Sequence, residues 1–258
     1  MGVTQGSPGG TPPRTPGDGA KPVTAQHLLV RYAKRGKMRF ASHLDVARAF
    51  ERGVRRTDLP IAYSTGFTPR PKISYAGGAP TGVASEAEYL SLTLTSRTEA
   101  DTVRERLNAA LPDGIDVIAV TEDSGGLPAS RLTASQWQVA LPGLPADNVV
   151  PVVRKFLALT EAPVERLTSK GMRRMDARAA VVSLDVLNGE SADSSLPGHE
   201  APGAGCALRM VVRHTAPSVR PDDVLNALRD VSDVFPAGQP LMTRLAQGSL
   251  GESGVVQL

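Results

Sequence analysis

The sequence predicts an α+β protein built from two similar units with antiparallel sheets, and three observations predict it. Segments of strand and helix periodicity follow the order strand, helix, strand, strand, helix, strand, and that order occurs twice along the chain. The run "SEAEYLSLTLT" sets Tyr89, Ser91, Thr93 and Thr95 against Leu90, Leu92 and Leu94, a clear period of two. With 258 residues, 41% of them hydrophobic and 21% charged, the chain can bury two small cores.

The first unit begins with "QHLLVRY", Gln26 to Tyr32, which has strand composition. Gly36 marks a turn, and Lys37 to Phe40 is expected to complete a basic strand-turn-strand before a helix. In "SHLDVARAFERGVRRTD", Ser42 is placed to cap the helix by accepting from the amide of Asp45. Val46, Phe50 and Val54 recur every four residues on one face, and Arg48, Arg52, Arg55 and Arg56 gather on another. "LPIAYSTGF" is expected to be a short strand, and the prolines of "PRPKISYAG" confine that segment to an edge. "SEAEYLSLTLT" is expected to be a central strand with one covered face. "TEADTVRERLNAALP", with Val103, Leu107 and Ala110 inward, and "IDVIAVTE" supply the second helix and the last strand.

The second unit follows the same template. "ASQWQVALPG" is a strand, "PADNVVPVVRKFLALT" a helix with Pro151 near its first turn, and "DARAAVVSLDVLN" a long strand. "GCALRMVVRH", "RPDDVLNALRD" and "LMTRLAQG" complete it as strand, helix and strand. Each half therefore has the split β-α-β, or ferredoxin-like, order, and the expected architecture is a tandem of two such units. The boundaries are a disordered tail at 1–23, a first domain at 24–123, a linker at 124–133, a second domain at 134–248 and a tail at 249–258. The polar insertion at 189–205 lacks residues that could anchor a core and is expected to be disordered.

Composition narrows the function. The net charge of +3 is modest, so a nucleic-acid reading depends on where the charge sits. A single cysteine, Cys206, excludes an internal disulfide framework, and with no apolar leader or membrane-length segment the expected location is the cytoplasm. No metal or other cofactor is expected.

The charge is concentrated at Arg31, Lys34, Arg35, Lys37 and Arg39, followed by Arg52, Arg55, Arg56, Arg70 and Lys72. A second run, "SKGMRRMDAR", places Lys170, Arg173, Arg174 and Arg178 at a comparable position in the second unit. Such groups can follow a phosphate backbone, or they can be a solvated surface. "YSTGFTPRPKISY" adds Tyr63, Phe67 and Tyr75, aromatic surfaces on which unpaired bases could stack beside Arg70 and Lys72. The structural alternative for Phe67 is a plug in the core. His43, at the start of the arginine helix, could act as a general acid or base on RNA; the alternative is a first-turn histidine bonded to backbone. Glu86 and Glu88 fall on one side of an extended chain, where pairing with the arginine helix is preferred to a cation site that would lack further oxygen ligands.

The segments "F-x-S-H-L-D", "LPIAYSTGFTPRPKISY" and "GVASEAEY" resemble the signature of the radical-SAM-linked domain family, a bacterial family of uncharacterised biochemistry. The resemblance extends more loosely from Thr24 to about Leu245. It implies an accessory role near RNA, because members are fused to or encoded beside a radical SAM protein, or neighbour a ribonuclease of the E/G type. This chain has no C-x-x-x-C-x-x-C segment, so any implied radical chemistry would belong to another polypeptide. The tandem fold is also similar to that of CRISPR repeat-processing endoribonucleases. Three functions follow as expectations. One is an RNA-binding accessory module for RNA of the tRNA or ribosomal class. Another is a metal-independent ribonuclease or RNA-modifying enzyme using His43 with Tyr63 or an arginine. The third is a protein-protein adaptor.

Overall fold

The computed structural model describes residues 24–123, 129–168, 171–188, 205–235, 240–251 and 254–257. The expected disordered tail, nearly all of the insertion, half of the linker and Lys170 lie outside them. The first unit comprises β1 (Gln26–Lys34), α1 (His43–Arg56), β2 (Ile73–Ala76), β3 (Ala84–Leu94), α2 (Ala100–Ala110) and β4 (Ile115–Glu122). The second comprises β5 (Ala134–Leu141), α3 (Ala146–Leu157), the hairpin β6 (Pro163–Thr168) and β7 (Gly171–Asp176), and the short α4 (Ala177–Ala180). It continues with β8 (Val181–Asn188), β9 (Cys206–Arg213), α5 (Pro221–Val231), β10 (Met242–Gly251) and β11 (Gly254–Gln257).

The sheet order within the first unit is β4-β1-β3-β2, and in the second it is β10-β5-β9-β8. Both put the fourth principal strand beside the first, then the third, then the second, with antiparallel neighbours. This is the order of the split β-α-β unit, and the protein has the expected α+β class. The two units form one nine-stranded sheet, because β3 and β10 pair in parallel through Ala84 with Thr243 and Ser85 with Arg244.

Local chemistry accounts for α1. The Asp45 amide donates to Ser42 Oγ at 3.2 Å, and the Ser42 amide donates to the Asp45 carboxylate at 3.1 Å, forming a reciprocal cap. Val46, Ala49, Phe50 and Val54 then bury one stripe against Leu28, Val30, Leu90, Leu92 and Leu94 of the sheet. The second core gathers Trp137, Val139 and Leu141 of β5 under Val149, Val153 and Phe156 of α3 and Val224 and Leu228 of α5.

Several local expectations are corrected. Gly36–Phe40 is a 3-10 turn, so β1 ends without the basic strand-turn-strand. "LPIAYSTGF" contributes only isolated bridges at Ile61 and Tyr63, since Leu59 and Pro60 and then the loop tip interrupt pairing. β3 is buried on both faces, because Leu132 of the connecting segment packs with Leu29, Ala87 and Tyr89 on the side away from α1. Asp176 caps a helical turn ahead of β8, accepting from the amides of Arg178 and Ala179, which shortens the expected long strand. β10 and β11 occupy much of the segment expected to be a C-terminal tail.

Candidate functional site

The junction of the two units brings together polar side chains from strands far apart in sequence. Arg244 of β10 is 4% exposed and pairs with Glu88 of β3, itself 3% exposed. Its remaining donors reach Ser85 Oγ at 3.3 Å and the side-chain carbonyl of Gln247, and its guanidinium lies 5.5 Å from the centroid of the Trp137 ring. The Glu88 carboxylate also accepts from the Ala79 amide at 3.2 Å. Lys34, at the end of β1, is 3% exposed and donates to the carbonyls of Ala79 and Pro80 at 3.1 and 3.3 Å. Burial pushes its ammonium below the usual lysine range, with Glu88 opposing that shift and Arg244 adding to it.

Of these groups, Lys34, Glu88 and Ala79 border a pocket of about 330 Å³ lined also by Tyr32, His43, Tyr75 and Gly78, among others. Its floor is the sheet. One wall is the first turn of α1, and the opposite wall is the backbone of Gly77, Gly78 and Ala79. His43 stands exposed at the rim, edge-on to Tyr75 with ring centroids 5.3 Å apart. A side chain on Gly78 would begin 3.6 Å from His43 Nδ1 and 3.8 Å from Glu88 Oε2, in van der Waals contact with both. Burial raises the pKa values of both the Tyr32 and Tyr75 phenols, which are therefore neutral hydrogen-bonding groups.

A second cavity of about 300 Å³ shares Gly77 and Gly78 and lies over the second unit. There Ser135 and His214 approach to 2.7 Å through Oγ and Nε2, and His214 Nδ1 lies 2.7 Å from the Leu132 carbonyl. A carbonyl can only accept, so Nδ1 carries the proton and Nε2 accepts from the serine hydroxyl. Ser135 is fully buried, which makes this pair an internal brace of the sheet.

The sequence-derived candidates are divided among several surroundings. Lys34 and His43 meet in the first pocket. Arg31 lies on the side of β1 that also carries Leu29, away from α1. Arg35 is held by Glu86 and, at 2.9 Å, by Asp116, while Lys37 and Arg39 sit on the 3-10 turn, with the Arg39 guanidinium 4.6 Å from the Phe40 ring centroid. Arg52, Arg55 and Arg56 are exposed on α1, as is Arg70 in its loop; Lys72 is half-buried. Tyr63 packs against the first core and Tyr75 stands near Phe50, whereas Phe67 is fully exposed at the loop tip. Arg173 and Arg174 are exposed on β7. Arg178 is turned inward to the carbonyls of Leu157 and Val181 at 3.1 and 3.2 Å. The carboxylates do pair with arginines, but Glu86 takes Arg35 and Glu88 takes Arg244, neither from α1.

Sequence reasoning passed over Arg244, Gln247 and Ser135. Each lies in a segment read as a strand, and a polar group on the face that the apolar neighbours bury is the signal that could have found them.

No helix among the described residues is long and apolar enough to cross a membrane. The topology and the seam define the class: an α+β protein of two ferredoxin-like units sharing one sheet, with a polar pocket where they join. The chain belongs to the family described as "Uncharacterized protein conserved in bacteria (DUF2344)", whose model matches residues 27–221. No curated protein matches. A solved structure entitled "Crystal Structure of an Unknown Protein from Galdieria sulphuraria" is 13% identical over 81% of this chain and 92% of its own, with a TM-score of 0.22. That likeness carries no argument.

Proposed function

We propose that the protein is a cytoplasmic RNA-binding accessory module. It would hold RNA of the tRNA or ribosomal class for a separate enzyme, either a radical SAM protein or a ribonuclease of the E/G type. The observation that carries this reading is the exposed row Arg48, Arg52, Arg55 and Arg56 on α1. Of the four, Arg48 alone has a carboxylate oxygen as near as 4.0 Å among the described residues, from Asp45. Uncommitted guanidinium groups at helical spacing suit a phosphate backbone, from which they release counterions. The exposed Phe67, with Arg70 in the same loop, supplies a stacking surface, and Arg173 and Arg174 on the β6–β7 hairpin offer further cations.

Fluorescence anisotropy with a single-stranded RNA at several salt concentrations tests the reading. Replacing Arg52, Arg55 and Arg56 together by Gln should flatten the slope of log K against log salt by about 2, at roughly 0.7 per lost phosphate contact. Replacing Phe67 by Ala should weaken binding with little change in slope. An unchanged slope in the folded triple variant, or binding to acidic proteins and not to RNA, would assign the arginines to a protein adaptor. One observation favours a metal-independent ribonuclease instead: His43 opens on the pocket that contains Lys34 and Glu88. Intact RNA after prolonged incubation would remove that alternative.

A further inference from the structure

The ion cluster behind the first pocket has more buried positive charge than negative, because Arg244 neutralises Glu88 from outside the lining. Lys34 and Arg244 are almost wholly buried around a single carboxylate, Glu88, so the cluster has one cation in excess when all three are ionised. It also has spare donors. Two of the three Lys34 N–H groups are directed to the Ala79 and Pro80 carbonyls, leaving one. Tyr32 is 3% exposed and lines the pocket, yet its hydroxyl makes no hydrogen bond among the described residues. The Tyr75 hydroxyl is also unpartnered, but it is buried away from the pocket space. Enclosed polar groups are ordinarily satisfied, so a pocket that leaves one phenol unpaired beside an ammonium with a spare N–H is organised for something that fills it. That occupant must accept hydrogen bonds and carry negative charge, and His43 at the rim adds a further donor.

We infer that this pocket binds a phosphate monoester through Lys34 and Tyr32, with His43 at the rim as the third donor, and that the monoester is the terminal phosphate of an RNA strand. A phosphate monoester offers three terminal oxygens to three donors, and the volume of about 330 Å³ leaves room for the sugar that follows. The Gly77–Gly78 wall has no side chains to obstruct the approach. The RNA source rests on the function proposed above; the phosphate chemistry does not, because a small phosphorylated metabolite would present the same group.

Calorimetric titration at constant ionic strength tests both parts, with inorganic phosphate and with one RNA oligonucleotide bearing either a 5′-phosphate or a 5′-hydroxyl. The wild-type protein should bind phosphate. Tyr32→Phe should weaken that binding by roughly tenfold or more, the effect of one hydrogen bond to a charged group. It should leave the urea midpoint unchanged, since the hydroxyl has no hydrogen-bond partner among the described residues. The 5′-phosphorylated RNA should bind more tightly than the hydroxyl form and lose that advantage in Tyr32→Phe. No heat with phosphate, or full phosphate affinity in Tyr32→Phe, overturns the site. If both RNAs then bind alike in a salt-dependent manner, the RNA-binding reading survives without it. If phosphate binds but the two RNAs do not differ, the site stands and the RNA end is excluded as its source.

Discussion

Replacing Glu88 by Gln should destabilise the protein more than replacing Arg244 by Met, although the two residues form one ion pair. In the native seam Glu88 faces Arg244 and Lys34, all three at most 4% exposed. Removing the carboxylate leaves two buried cations. Lys34 can escape by losing its proton, since burial already pushes its pKa down, but a guanidinium cannot. Arg244 then remains charged and without a counterion, a situation that costs about 3 to 5 kcal/mol. Arg244→Met instead leaves Glu88 with Lys34 and the Ala79 amide, so the lost partners are mainly Ser85 and Gln247. Each of these hydrogen bonds is made by a charged guanidinium and is worth about 1.5 kcal/mol at the low end of that class, so that variant should lose about 3 kcal/mol. The double variant Glu88→Leu with Arg244→Met buries no unpaired charge of its own and should be more stable than Glu88→Gln alone. Urea unfolding at pH 7 measures all three. The β3–β10 ladder has only the pairs Ala84–Thr243 and Ser85–Arg244, so losing the Glu88–Arg244 contact should also separate the unfolding of the two units into two phases. A Glu88→Gln variant that is more stable than Arg244→Met would refute this account of the charges.

Two further outcomes are expected. Ser42→Ala should lower stability by about 1 kcal/mol through loss of the α1 cap, while His43→Ala, at an exposed rim position, should leave the urea midpoint nearly unchanged. His214 should make the fold sensitive to acid: burial pushes its pKa below 6.5, against the opposing Leu132 hydrogen bond, so the unfolded chain takes up a proton first as pH falls. Its contribution is whole above about pH 6.5 and is lost as pH drops through that lowered value. A stability profile between pH 7 and 5 that is the same in His214→Gln as in wild type would show that the Ser135–His214–Leu132 brace is not what titrates.

Much of the fold was legible because it is written in local periodicity. The cap of α1, its Val46–Phe50–Val54 stripe and the alternation in β3 each depend on residues a few positions apart, and each directs the element it predicts. The missed 3-10 turn and the missed turn ahead of β8 are short segments in which one capping group or one tertiary contact outweighs propensity. The second covered face of β3 was illegible for a different reason. Ser91 and Thr93 read as solvent-facing, and only the path of the chain through Leu132 shows that this side is closed. The charged surface was legible as composition but not as geometry. Neighbouring basic residues point to opposite sides of β1, and Lys34 and Arg35 are taken up by internal partners while Arg52 and Arg55 are not.

The pocket itself follows from the shortness of one strand. β3 runs for 11 residues, but β2 has only 4 and covers Tyr89 to Leu92 alone. Pro71 bounds β2 on one side, since proline cannot donate to the ladder. On the other, Gly77 adopts φ +62°, a left-handed conformation that turns the chain away from the sheet. The part of β3 left uncovered takes β10 of the second unit instead, which brings Arg244 beside Glu88. The Gly77–Pro80 segment, diverted from the edge, bridges the gap, and its carbonyls receive Lys34. A longer β2 would satisfy the edge of β3, exclude β10 and close the space over Tyr32. The same break that fuses the two units into one sheet therefore opens the cavity beside their junction, and it explains why the residues that line it come from positions as distant as Lys34 and Glu88, with Arg244 paired to Glu88 from across the seam.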